Sequence, residues 1–287
     1  MKKLIGFLLT IVLVFSVCAC GNTNIVSDKI QVYTSFYAMY DFAKQIGGDK
    51  ADVHILCQPS QEPHEYEPTA QEIANIIDAD VFIYNGMGME HWADSVKETL
   101  SGSDIIVVET SNAVDGSERN TDPHIWLNPQ NALEQLRAIT DAFIKADNGN
   151  VDYYTSRFKE SEEKINELTH NYKTAVETFS SKDIVVSHEA YSNMCNAFGL
   201  NQLAVNGTDN SEDPTPTRMA EIEKYIKDNN IKYVFTEPLG TSSIVETIAK
   251  DTNCEILILD PFEGNTENKD YFTVMNENLE ALKKALK

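Results

Sequence analysis

"NVDYYTSRFKESEEKINELTHNYKTAVETFSS", residues 150–181, decides how this chain is organised. It contains neither Gly nor Pro, so nothing in it interrupts a helix. Phe158, Ile165, Leu168, Tyr172, Val176 and Phe179 recur at spacings of 7, 3, 4, 4 and 3, the period of one apolar helical face. A helix of that length would run roughly 45 Å. Short, β-branched apolar runs flank it on both sides. Upstream are "IQVYTS" (30–35), "VHILC" (53–57), "VFIYNG" (81–86) and "DIIVVET" (104–110). Downstream are "DIVVSH" (183–188), "LNQLAV" (200–205), "IKYVFTE" (231–237) and "CEILILD" (254–260). Helical patterns such as "TAQEIANIIDA" and "PTRMAEIEKYIKDNN" separate many of these runs, and that alternation predicts parallel sheets covered by helices. The expected fold is α/β with two lobes, each a roughly four-stranded parallel sheet flanked by helices, joined by one long rigid helix. The N-terminal lobe is expected at 30–149, the linking helix at 150–180 and the C-terminal lobe at 181–287. An interaction helix for a partner is the weaker reading, because both ends abut lobe material directly.

The N-terminus carries an address. Lys2 and Lys3 precede the uncharged, mostly apolar stretch Leu4 to Val17, which is short for a bilayer span. "SVCACGNT" follows, with Ala19 before Cys20, and resembles a bacterial lipoprotein signal. The expectation is a signal peptide over 1–19, lipidation of Cys20, and a tether over 20–29 that anchors the protein to the outer side of the cell membrane. An ordinary secretory signal is the alternative. The formal charge of −22 disfavours nucleic acid and anionic lipid and favours cations. Cys57, Cys195 and Cys254 show no CxxC spacing, which argues against a thiolate zinc site; Cys195 and Cys254 are the pair to test for a disulfide.

Six histidines are available. His54 falls inside a predicted strand and His170 on the long helix, where packing or exposure explains them. His91 follows "NGMGME" at an expected helix start. His64 sits in "QEPHEYEPT" (61–69), where Pro63 and Pro68 forbid a regular helix. His124 sits in "TDPHIWLNP", His188 ends "DIVVSH", and Asp260 ends "CEILILD". These four lie at or beyond the carboxyl ends of predicted parallel strands, where open α/β sheets bind ligands. Two come from each lobe. Three imidazoles and a carboxylate make four donors, a tetrahedral zinc set.

"EPHEYEPT", "DPHIWLNP", "SHEAY" and "FTEPLG…ILILDP" together resemble the zinc/manganese-specific solute-binding proteins of bacterial ABC importers, in the same order over nearly the whole chain after the leader. The resemblance implies a monomer that binds a metal ion between two lobes and hands it to an ABC permease. It assigns His64, His124, His188 and Asp260 to the metal. Manganese-type members carry a carboxylate where His188 stands, so the imidazole favours Zn2+, with Mn2+ (or iron) as the alternative. "SNAVDGSERNTDPH" is short and has no histidine before His124, which predicts no auxiliary metal-collecting loop. Glu62 stands where many members have Asp; it is a shield, an alternative oxygen donor, or a solvated acid. A secreted zinc hydrolase is the enzyme alternative, but "HEAYS" is not HExxH. A surface adhesin, the remaining alternative, has no support in the sequence.

Overall fold

The structure is a computed structural model that describes residues 29–115, 122–207, 214–239, 242–264 and 267–287. Cys20 and the expected signal peptide lie outside the described residues. The first sheet contains β1 (Ile30–Thr34), β2 (Ala51–Ile55), β3 (Val81–Tyr84) and β4 (Ile106–Glu109), in the order β2-β1-β3-β4. The second contains β5 (Asp183–Val186), β6 (Asn201–Ala204), β7 (Tyr233–Thr236) and β8 (Glu255–Ile258), in the order β6-β5-β7-β8. Every pairing is parallel. The two orders are the same, so each sheet has its topological switch beside its first strand, and the crevice opens there at the carboxyl edge.

The helices are α1 (Tyr37–Gly47), α2 (Ala70–Ile77), α3 (Ala93–Thr99), α4 (Pro129–Ala146), α5 (Val151–Val176), α6 (Ser192–Phe198), α7 (Pro216–Asp228), α8 (Ser242–Thr252) and α9 (Tyr271–Leu286). Their starts follow local chemistry. Thr69 and Glu72 close a capping box on α2, directly after the proline-bounded segment that carries His64. Asn128 accepts from the Gln130 amide at the head of α4, with Pro129 in the first turn.

Helix α5 is the long helix expected between the sheets. Its 26 residues span about 39 Å. Phe158, Ile165, Leu168, Tyr172 and Val176 are buried along one face, as their spacing requires. Phe179 is also buried but lies past the helix end. The face packs on α4, α1, α9 and α6. One apolar core runs without a break from Val32 and Phe42, through Tyr154 and Tyr172, to Ile184 and Phe262. The lobes are therefore joined by shared packing as well as by a spine. Cys57, Cys195 and Cys254 are all free thiols; Cys195 belongs to this core, while Cys254 packs on a separate cluster behind β7, so the tested pairing does not form.

Candidate metal centre

The carboxyl edges of the two sheets bring His64, His124 and His188 together with Glu263. One ligand atom from each lies within 4.8 Å of every other. His64 sits in the loop after β2. Cys57 still pairs with Ser35 as an extension of the sheet, and a turn then closes from Gln61 to the Gln58 carbonyl at 2.8 Å. His124 lies between β4 and α4. The Asn85 side chain donates to the Pro123 carbonyl at 2.9 Å, and Asn85 is itself held by Gln135 and by the buried Glu90. His188 follows β5.

Each of the two most buried imidazoles has a carboxylate at its rear nitrogen. Asp122 Oδ1 lies 2.5 Å from His124 Nδ1 and also accepts the His124 amide at 2.9 Å. Glu237 Oε2 lies 2.7 Å from His188 Nδ1. Asp122, bonded to Nδ1 of His124, fixes which of that ring's nitrogens carries the proton and leaves Nε2 to face a metal, whereas Glu237 approaches Nδ1 of His188 as a charge without an aligned hydrogen bond. The Nε2 atoms do converge. His64 and His124 are 3.1 Å apart at Nε2, and Glu263 Oε1 lies 2.6 Å from His124 Nε2 and 3.5 Å from the Nε2 atoms of His64 and His188. Donors about 2.0–2.2 Å from a tetrahedral zinc are about 3.3 Å from one another. The spacing suits that ion. Glu263 Oε1 and His188 Nε2 are buried and make no aligned hydrogen bond, despite these short approaches. Buried polar atoms without aligned partners are costly unless something else binds them. A cation between them supplies that partner.

Electrostatics give the same picture. Burial opposes charge on His124, but Asp122 and Glu263 overcome it and raise the imidazole to about 9. His188 is also raised well above the ordinary histidine value: burial opposes this, and Glu237 and Glu263 outweigh it. Burial works against ionised Glu263, yet the three histidines hold its carboxyl well below the usual range. Glu62, beside the site, is pushed up to about 8 by burial and then by Glu263. The raised values of His124 and His188 favour protons on these two imidazoles, opposite the carboxylates, where a divalent ion would replace them.

Three of the four residues named from sequence thus meet, and Asp260 does not join them. Strand β8 stops at Ile258, and Asp260 Oδ1 accepts from the Phe262 amide at 2.8 Å, closing a turn. Phe262 sits at φ 60°, a left-handed conformation unusual for an aromatic residue. That turn reverses the chain and presents Glu263 where Asp260 was expected. Asp260 lines a neighbouring cavity of about 310 Å3 with Pro238, Leu239, Lys269 and Asn278. The other histidines stand apart from the site. His54 stacks on Tyr33, His91 pairs with Glu67 at the surface, and His170 is exposed on α5.

The family described as "ZnuA: Zinc-uptake complex component A periplasmic" matches residues 32–285. The chain belongs to this family of periplasmic zinc-uptake components. It is 33% identical to the high-affinity zinc uptake system protein ZnuA of Bacillus subtilis (strain 168), covering 99% of this chain and 98% of that one. It is 30% identical to the zinc-binding lipoprotein AdcA of Streptococcus pneumoniae (strain ATCC BAA-255 / R6), over 99% of this chain but only 61% of that protein. The crystal structure of the Zn(II)-bound ZnuA-like domain of Streptococcus pneumoniae AdcA superposes with a TM-score of 0.80 at 31% identity, covering 90% of this chain and 99% of that one.

Proposed function

We propose that this protein captures zinc in the cleft between its lobes and delivers it to the permease of an ABC importer. The convergence of three imidazole Nε2 atoms and the Glu263 carboxylate carries the reading. Three nitrogen donors favour zinc over manganese, which prefers oxygen-rich sites. His64, His124, His188 and Glu263 are the proposed ligands, in place of the set ending at Asp260. Four protein donors fill a tetrahedral shell, whereas a catalytic zinc keeps one position for water. The family is one of solute-binding components, and binding and release, without chemistry, is the function proposed here. Zinc is the cargo, and the protein acts as a monomer.

One tight zinc per chain is expected, because the described residues contain one such group. Metal analysis of the purified protein, followed by zinc–manganese competition, tests this. A second tight zinc, or manganese retained against equimolar zinc, would sink it. Lipidation of Cys20 is proposed from the "CACGNT" signal, and the AdcA relative is named a lipoprotein. Cys20→Ala is expected to move the protein from the membrane to the soluble extracytoplasmic fraction with unchanged zinc affinity. Retention of the variant at the membrane would refute the anchor.

A further inference from the structure

We propose that Trp126 is a positioning residue that fixes Glu263 against His124; the proposal rests on the reading of Glu263 as a zinc ligand. Trp126 follows His124 by two positions and is completely buried. Its ring packs 5.3 Å from the His124 ring and 5.0 Å from Phe36. Its indole Nε1 donates to the Pro261 carbonyl at 2.7 Å, across 135 residues of sequence. Its own carbonyl accepts from Tyr271 Oη, also at 2.7 Å. One residue of the first lobe therefore holds the chain on both flanks of Glu263.

Neighbouring contacts have the same sense. Tyr37 Oη donates to the Lys269 carbonyl at 3.2 Å, and its ring meets Phe262 edge-on at 5.3 Å. The Tyr271 amide donates to the buried Asp41 carboxylate at 3.1 Å. Glu263 comes late in sequence and follows β8, yet its flanks are gripped by α1 and by the His124 loop. The indole bond has a particular consequence. It orients the carbonyl of the Pro261–Phe262 peptide, the plane from which the left-handed Phe262 departs toward Glu263. Without the N–H, that buried carbonyl loses its partner, and the left-handed turn keeps the Asp260–Phe262 bond but loses its tie to the first lobe.

The test is competitive zinc titration of Trp126→Phe, which keeps an aromatic ring and deletes the donor. Removing groups that orient metal ligands typically costs 10–100-fold in affinity, and a loss of about tenfold is expected. The decisive measurement repeats the substitution in a Glu263→Gln background. If Trp126 acts through Glu263, the second loss shrinks to less than about twofold, because coupled residues are non-additive. The visible spectrum of bound Co2+ in Trp126→Phe should shift toward that of Glu263→Gln. Tyr172→Phe deletes another buried hydrogen bond, from Tyr172 Oη to the Met275 carbonyl of α9 at 2.7 Å, and should leave zinc affinity intact. Tyr271→Phe removes the second strut and repeats the test if Trp126→Phe does not fold. Equal losses in both backgrounds, or an equal loss in Tyr172→Phe, would overturn the positioning role. An unchanged zinc affinity in Glu263→Gln would instead overturn the ligand reading beneath it.

Discussion

Glu263→Ala is expected to weaken zinc binding by at least about a hundredfold, while Asp260→Asn changes it by less than about threefold. Loss of a ligand should exceed the 10–100-fold typical for the groups that merely support one. Glu263 Oε1 lies 2.6–3.5 Å from the Nε2 atoms of all three imidazoles. Asp260 spends Oδ1 on the Phe262 amide, and an asparagine oxygen can accept that bond as well. The pair separates the two carboxylates without disturbing the turn they share. Competitive titration at fixed pH and salt reads both variants, with thermal melts confirming that each is folded. A large loss in Asp260→Asn beside an unaffected Glu263→Ala would return the site to the ligand set expected from sequence.

The carboxylate that the fold brings to the histidines is not the one the sequence pointed to, and the reason is instructive. The strand run "CEILILD" ends in an acid, and an acid at the carboxyl end of a parallel strand is the ordinary place for a ligand. What redirects the site is the conformation of Phe262, and a left-handed aromatic has no sequence signature. The signal was present only as "DPFEG", a second acid three residues on and next to a glycine. At Gly264 a side chain would collide with the Pro59 carbonyl from the opposite loop. The two lobes approach closely there, and no local pattern announces it. By contrast the histidines were legible, because each sits at the end of a run whose strand character is local. The spine was legible because a 3.6-residue period needs no tertiary information; Phe158 and Tyr172 are buried where that period puts them. The partners behind the proposed ligands, Asp122 and Glu237, read as unremarkable acids beside a proline. Their roles depend on which ring nitrogen they meet after folding.

Zinc affinity is expected to rise with pH from about 6 up to about 9, by roughly ten- to hundredfold per unit, since each proton the metal must displace contributes a factor of ten. From ordinary histidine values the change would fall between pH 6.5 and 5. The structure moves it upward. His124 is raised to about 9 and His188 is raised well above its usual value, so both imidazoles compete for protons at neutral pH. Glu263, held well below the usual range, stays ionised throughout this interval and contributes no competing proton. Glu62 loses its proton near 8 and adds negative charge beside the cleft above that point, which favours metal further. The same shifts act on the stability of the metal-free protein, with opposite sign. A histidine raised in the fold stabilises it fully below the unfolded value of about 6.5, and that contribution disappears as pH rises through about 9. The metal-free protein should therefore lose thermal stability between pH 7 and 9, while the zinc-bound protein keeps it. The stabilisation conferred by zinc widens as pH rises. Calorimetric titration in buffers of different ionisation enthalpy counts the protons released, and between one and two per zinc are expected at pH 7.5. Zinc binding that is flat from pH 6 to 8 and releases no proton would mean that the imidazoles are already neutral and that the carboxylates do not charge them.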